Sequence, residues 1–143
     1  MFILLIHAVR TNAEEAYVIC YPESTVVVRE HPKKTALATG ELTAGHLLHL
    51  DGKQKNGYYH CIDMANESGD GWVSKLYITF EEPIFVNLEA RVISKGRLAA
   101  RTTINGERKK WLYPDEWVVL YYWTSEWCVT NYGYVKTKYL EID

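Results

Sequence analysis

The feature that most constrains this chain is a phrase it uses twice. Gly71-Trp72-Val73 is followed by Tyr77-Ile78, and Gly133-Tyr134-Val135 is followed by Tyr139-Leu140. Both read Gly-aromatic-Val-x-x-x-Tyr-aliphatic. A repeated signature bounds the architecture before any single element does, because each copy must be one structural unit. Earlier matches run in the same order. Val26-Val27-Val28-Arg29 corresponds to Leu98-Ala99-Ala100-Arg101, and Leu42 to Leu112. Leu48 and Leu50 correspond to Val118 and Leu120, and the pair Tyr59 and Cys61 to Trp127 and Val129. The length differences fall between these blocks, where loops tolerate insertion. The first copy is longer at Asp51–Gly57 and at Asp63–Gly69. The second has Thr124-Ser125 and Asn131-Tyr132 in those places.

A chain of 143 residues holds two such units. Each is near the lower size limit for a self-sufficient core, so packing them together shares apolar surface. No helical period longer than one turn is present. Short β-rich runs are separated by turn dipeptides such as Asn56-Gly57 and Asn105-Gly106, a pattern that predicts an all-β barrel or sandwich. Leu48 and Leu50 are expected to point inward, with Leu47 and His49 outward. The net charge of −2 gives no global pull toward nucleic acid, and Arg108-Lys109-Lys110 reads as a solvated loop. Three cysteines are too few for a disulfide framework. Buried free thiols are expected, with a Cys20–Cys61 bridge as the alternative.

The repeated blocks resemble the bacterial SH3 (SH3b) family. Its members carry a hydrophobic-x-Val-Arg strand, a glycine-containing turn, an alternating strand and a closing Gly-Trp-Val-x-x-x-Tyr-Leu. Here these are Val28-Arg29, Gly45, Leu48/Leu50 and Gly71-Trp72-Val73 with Tyr77-Ile78. In the second copy they are Ala100-Arg101, Asp115, Val118/Leu120 and Gly133-Tyr134-Val135 with Tyr139-Leu140. The family's usual Asn before Val-Arg is Val27 and Ala99, and Asp115 stands for the turn glycine. The resemblance implies two tandem SH3-like β-barrels, residues 16–80 and 84–143, each closing with one turn of 3-10 helix. It also implies a noncatalytic module for cell-envelope polymer, meaning peptidoglycan or its peptide bridges. The chain is then a secreted or surface-associated product of a bacterium or phage. The connection Thr79–Glu82 with Pro83 leads into apolar Ile84-Phe85-Val86, so it is expected to pack and fix the two units relative to each other.

Residues 1–15 belong to neither copy. Phe2-Ile3-Leu4-Leu5-Ile6 is too short to span a bilayer as a helix. With the small and acidic residues that follow, it is similar to the back half of a secretory signal, cleaved near Ala13 or Ala16. The alternative is an extra N-terminal strand.

Candidate ligand-binding residues follow from strand alternation. Val118, Leu120 and Tyr122 inward put Trp117, Val119, Tyr121 and Trp123 on the opposite face, an apolar row that marks contact with something. That face packs on the first unit or a second copy, binds a ligand, or joins a protein partner, which makes the chain an interaction adaptor. Trp72 and Tyr134, repeated in both copies, are expected to seal the two barrels. In SH3-like barrels a groove between the first loop and the last hairpin takes extended ligands. Trp111, Tyr58 and Tyr17 are candidates for it by position. No catalytic set emerges. His60 and Cys61 are adjacent and diverge on a strand, and Cys61 inward is separated from His49 outward. No metal-ligand spacing and no phosphate-binding loop are present, so no cofactor is expected.

Overall fold

The computed structural model describes residues 14–62 and 70–142. The first unit runs β1 (Glu14–Val18), β2 (Thr25–Arg29), β3 (Ala38–Thr43), β4 (Leu47–Lys55), β5 (Tyr58–Ile62) and β6 (Asp70–Ser74), then a 3-10 turn (Lys75–Tyr77) and β7 (Ile78–Thr79). The second runs β8 (Ile84–Val92), β9 (Leu98–Arg101), β10 (Arg108–Leu112), β11 (Trp117–Trp123), β12 (Trp127–Thr130) and β13 (Gly133–Lys136), then a 3-10 turn (Thr137–Tyr139) and β14 (Leu140–Glu141). Each unit is one seven-stranded antiparallel sheet, ordered β3-β2-β6-β5-β4-β1-β7 and β10-β9-β13-β12-β11-β8-β14. Adding seven to every strand number of the first gives the second, so the protein is all-β and is one fold built twice.

The repeated residues have repeated duties. Val28, Leu42, Leu48, Leu50 and Val73 lie in the first core, and Ala100, Leu112, Val118, Leu120 and Val135 in the second. The motif glycine lets two strands touch backbone to backbone. A Cβ on Gly133 would lie 2.7 Å from the Arg101 carbonyl oxygen, at a φ of +140°, and one on Gly71 would lie 3.2 Å from that of Arg29. The motif arginine holds the loop beyond its strand. Arg29 Nη1 donates to the Ala36 carbonyl and Arg101 Nη1 to that of Gly106, each at 2.9 Å. Asp115 adopts the left-handed φ of 70° that Gly45 takes at 84°. Both amides donate to the end of the unit's first strand, at 2.8 Å to the Val18 and Val92 carbonyls.

The first strand opens at Glu14, two residues before the predicted boundary. Ala16 is buried in the core and pairs with Leu48, so a cleavage after Ala16 would remove a core residue; the rest of the proposed leader lies outside the described residues. Asn56-Gly57 is the tight turn of the β4–β5 hairpin, with both residues at positive φ. Asp51-Gly52 is not a turn. It lies inside β4, where the register shifts between Leu50 and Gln54. Ile84, Phe85 and Val86 open β8 at the second unit's expected start, and Phe85 and Ile84 pair with Tyr122 and Trp123. No Cys20–Cys61 bridge forms, because Cys20, Cys61 and Cys128 are all free and buried.

The units meet through a third apolar cluster. Ile19, just past β1, packs on Tyr122, Trp127, Val129 and Tyr134 of the second unit. The Tyr122 hydroxyl donates to the Cys20 carbonyl, and that of Tyr134 to the Ile19 carbonyl at 3.3 Å. Glu81 in the connection accepts from the Ser125 amide and hydroxyl at 2.8 and 2.5 Å. This packing corrects two expectations. Tyr122 faces away from the second core because β11 shifts register between Leu120 and Tyr122. Tyr134 seals the contact between units rather than its own sheet, while its counterpart Trp72 lies against His60, ring centroids 4.8 Å apart.

Candidate functional site

The pairings place the two copies on one register. Val73 pairs with Tyr59 and Val135 with Cys128, so Tyr59 corresponds to Cys128 and Tyr58 to Trp127. The expected match of Tyr59 and Cys61 to Trp127 and Val129 is therefore wrong by one residue. A slip of one exchanges the two faces of a strand. Cys128 points into the second core, and Trp127 and Val129 point outward onto the first unit.

On this register the same groove appears in each unit. It lies between the loop after the unit's first strand, the following strand (β2 or β9), and the closing 3-10 turn. In the first unit it measures about 450 Å³, is lined by Thr25, Val27, Arg29, Tyr58, Leu76 and Tyr77, and is completed by Thr102 and Tyr134 of the second. In the second unit it measures about 760 Å³ and is lined by Arg97, Ala99, Arg101, Trp127, Lys138 and Tyr139 at the equivalent positions. Ser74 and Lys136 are also equivalent and line their respective grooves.

The scaffold is the same and the chemistry is not. The first groove is walled by tyrosines and apolar side chains with Arg29 and Lys34. Beside it, Tyr21 meets Tyr134 edge-on at 5.8 Å, and the buried Tyr21 hydroxyl has no hydrogen-bond partner among the described residues. The second groove carries Lys95, Arg97, Arg101, Lys136 and Lys138 and no acidic side chain. None of these five enters an ion pair among the described residues. Its aromatic rings are covered by cations. Arg97 lies 3.9 Å and Arg108 4.8 Å over Trp111, and Lys138 lies 5.1 Å over Tyr139.

The structure brings Tyr58 and Trp111 to these grooves, one in each. It keeps Tyr17 away, on β1 between Leu47 and Thr79. The row Trp117, Tyr121, Trp123 does not keep the expected alternation past the register shift after Leu120, and it is not an open patch. Trp117 is 57 % exposed, whereas Tyr121 packs on the contact between units and Trp123 on the second core. The residues missed from sequence are the groove cations Lys95, Arg97, Lys136 and Lys138, which join the motif residue Arg101 from two separated stretches with no motif spacing.

Two buried thiols are shifted upward. Burial, followed by the nearby Asp51 charge, pushes the Cys61 thiol up to about 12. Burial pushes Cys128 up to about 11, against a hydrogen bond with Thr137. His60 Nδ1 lies 2.7 Å from Asp51 and Nε2 lies 3.5 Å from Asp70. Partial burial pushes the Asp51 carboxyl up, but bonds from the Lys53 amide and from His60 outweigh it and leave it below its ordinary value. Among the described residues no group of three or more His, Cys, Asp or Glu side chains is placed to hold a metal ion. Among the same residues, no helix is long and apolar enough to cross a membrane.

No protein-family model and no curated protein matches this chain. Among solved structures it is similar to NlpC1 from Trichomonas vaginalis, at 15 % identity and a TM-score of 0.39, covering 92 % of this chain and 46 % of that one. It is also similar to NlpC2 from Trichomonas vaginalis, at 14 % identity and a TM-score of 0.38, covering 92 % and 49 %. The chain thus spans about half the length of these structures, and likeness at this level sets neither fold nor function.

Proposed function

We propose that this chain is a noncatalytic binding module that holds an extended polymer in its repeated groove. The polymer is one of the cell envelope, as the resemblance to the bacterial SH3 family implies, and the chain is a secreted or surface-associated product. One observation supports this reading most: a single fold, used twice, forms its groove at the same place both times. Tyr58 and Tyr77 in one groove give contact area at low entropy cost, and Trp111 and Tyr139 in the other carry the cations that face the ligand. Purified bacterial cell walls should retain the full chain on sedimentation, and Tyr58→Ala with Trp111→Ala should release it. A folded chain that stays in the supernatant refutes the reading.

The adaptor alternative rests on Trp117, the one open aromatic of its row. It requires a complex in solution that Trp117→Ala dissociates.

A further inference from the structure

The second groove is more cationic than the first, and we infer that it binds a carboxylate-bearing polysaccharide. This inference rests on the binding-module reading and narrows it to one ligand class for one groove.

The first argument is internal. At equivalent lining positions Thr25 is replaced by Arg97, Ser74 by Lys136 and Leu76 by Lys138, while Arg29 is retained as Arg101. The shorter loop of the second unit adds Lys95. Five cations with no carboxylate among them repel one another, and an anionic ligand relieves that repulsion.

The ligand's shape and polarity follow from what the groove withholds. Lysine and arginine side chains donate hydrogen bonds and accept none. The occupant must therefore be rich in acceptors along its length, as a chain of sugar rings carrying carboxylates is. An extended peptide would add to a strand edge; β9 is bonded to β10 from Leu98 to Arg101 but to β13 at Arg101 alone, so polyglutamate is the competing probe in the test. A single-stranded nucleic acid would need open aromatic faces on which bases stack. Trp127 is only 4 % exposed, and the Trp111 ring has the Arg97 and Arg108 guanidinium groups over it. A guanidinium stacked this way is pre-organised, with its in-plane donors free to take a carboxylate in fork geometry. Ala99 in place of Val27 deepens the floor, and about 760 Å³ is ample for a short run of sugar rings.

The test is calorimetric titration of the full chain with polygalacturonate, its methyl ester, polyglutamate and a thymidine oligonucleotide. The expected result is binding to polygalacturonate that weakens with salt and disappears on esterification. Arg97→Thr combined with Lys138→Leu restores the first unit's residues and should weaken it by roughly tenfold, with the melting transition unchanged. If that variant fails to fold, Lys136→Ser takes its place under the same reading. Absent binding, equal binding of the ester, tighter binding of either other polymer, or a variant with unchanged affinity overturns the inference. Wall retention without polygalacturonate binding sinks this proposal and leaves the module reading standing; polygalacturonate binding without wall retention keeps the binding module and removes its cell-envelope assignment.

Discussion

Ile19→Ala isolates the contact between the two units. Ile19 is 1 % exposed, and the other fully buried members of its cluster, Tyr122, Trp127, Val129 and Tyr134, all come from the second unit. Trimming it opens a cavity at the contact and leaves both cores intact. Ile→Ala at a buried site costs about 2–5 kcal/mol, in proportion to the cavity that remains. Tyr122 and Tyr134 are tied to the carbonyls of Cys20 and Ile19, so the walls cannot collapse freely and a cost of about 3 kcal/mol is expected. For a chain of this size that lowers the melting temperature by about 9 °C, at about 3 °C per kcal/mol, provided both units unfold together. Urea unfolding followed by tryptophan fluorescence and far-UV circular dichroism checks it. Trp72 is the one tryptophan of the first unit and the other four lie in the second. Both signals should share one midpoint, and the variant should move them together. Two separate transitions, with the second-unit signal unmoved by Ile19→Ala, would refute the claim that the contact couples the units.

Tyr122→Phe keeps the ring and removes the hydroxyl that bonds the Cys20 carbonyl. It should cost about 1–3 kcal/mol in the same urea assay, the penalty for a buried acceptor left unpaired. Gly133→Ala should prevent folding of the second unit, since its Cβ would lie 2.7 Å from the Arg101 carbonyl oxygen; a native-like spectrum would contradict the backbone approach. Stability should fall as pH rises above about 9. Burial raises the Cys61 thiol to about 12 and Cys128 to about 11, so the unfolded thiols ionise first and draw the equilibrium toward unfolding. That stability is full below the unfolded value and is lost as pH climbs through the folded one, at about 1.4 kcal/mol per pH unit per thiol. A urea midpoint that stays flat from pH 8 to about 10.5 would refute it.

The duplicated skeleton was legible because its marks are local. A glycine where backbones touch, an arginine that ties its own loop, and alternating leucines need no knowledge of the rest of the chain. The register of β12 was not legible, and the reason is physical. All four of its residues are buried, one face by its own core and the other by the first unit, so the period of two that marks a half-buried strand is erased. Matching Trp127 and Val129 to Tyr59 and Cys61 is the natural error for such a segment. The bulge in β11 misled in the same way, because burial still alternates through it while the surroundings change from core to contact. The groove cations were illegible for another reason. Lys95, Arg97, Arg101, Lys136 and Lys138 become neighbours only when the closing turn folds back beside β9.

The divergence between the copies follows from where each face ends up. The outer face of β12 and β13 carries Val129 and Tyr134, and it is covered. The same positions in the first unit carry His60 and Trp72, with His60 held by Asp51 at 2.7 Å. A third unit arriving there would have to bury a hydrogen-bonded histidine and carboxylate, which costs several kcal/mol without new partners. At the opposite end, Ile93 is the counterpart of Ile19 but is 46 % exposed, and Ser94 and Lys95 follow where Cys20 and Tyr21 complete the contact in the first unit. The second unit's surface is therefore specialised twice over: its β12–β13 face became apolar to receive the first unit, and its groove, left open, became cationic. Exchanging the order of the units in the chain would put His60 into the contact and Val129 into water, so the two copies are not interchangeable despite their common fold.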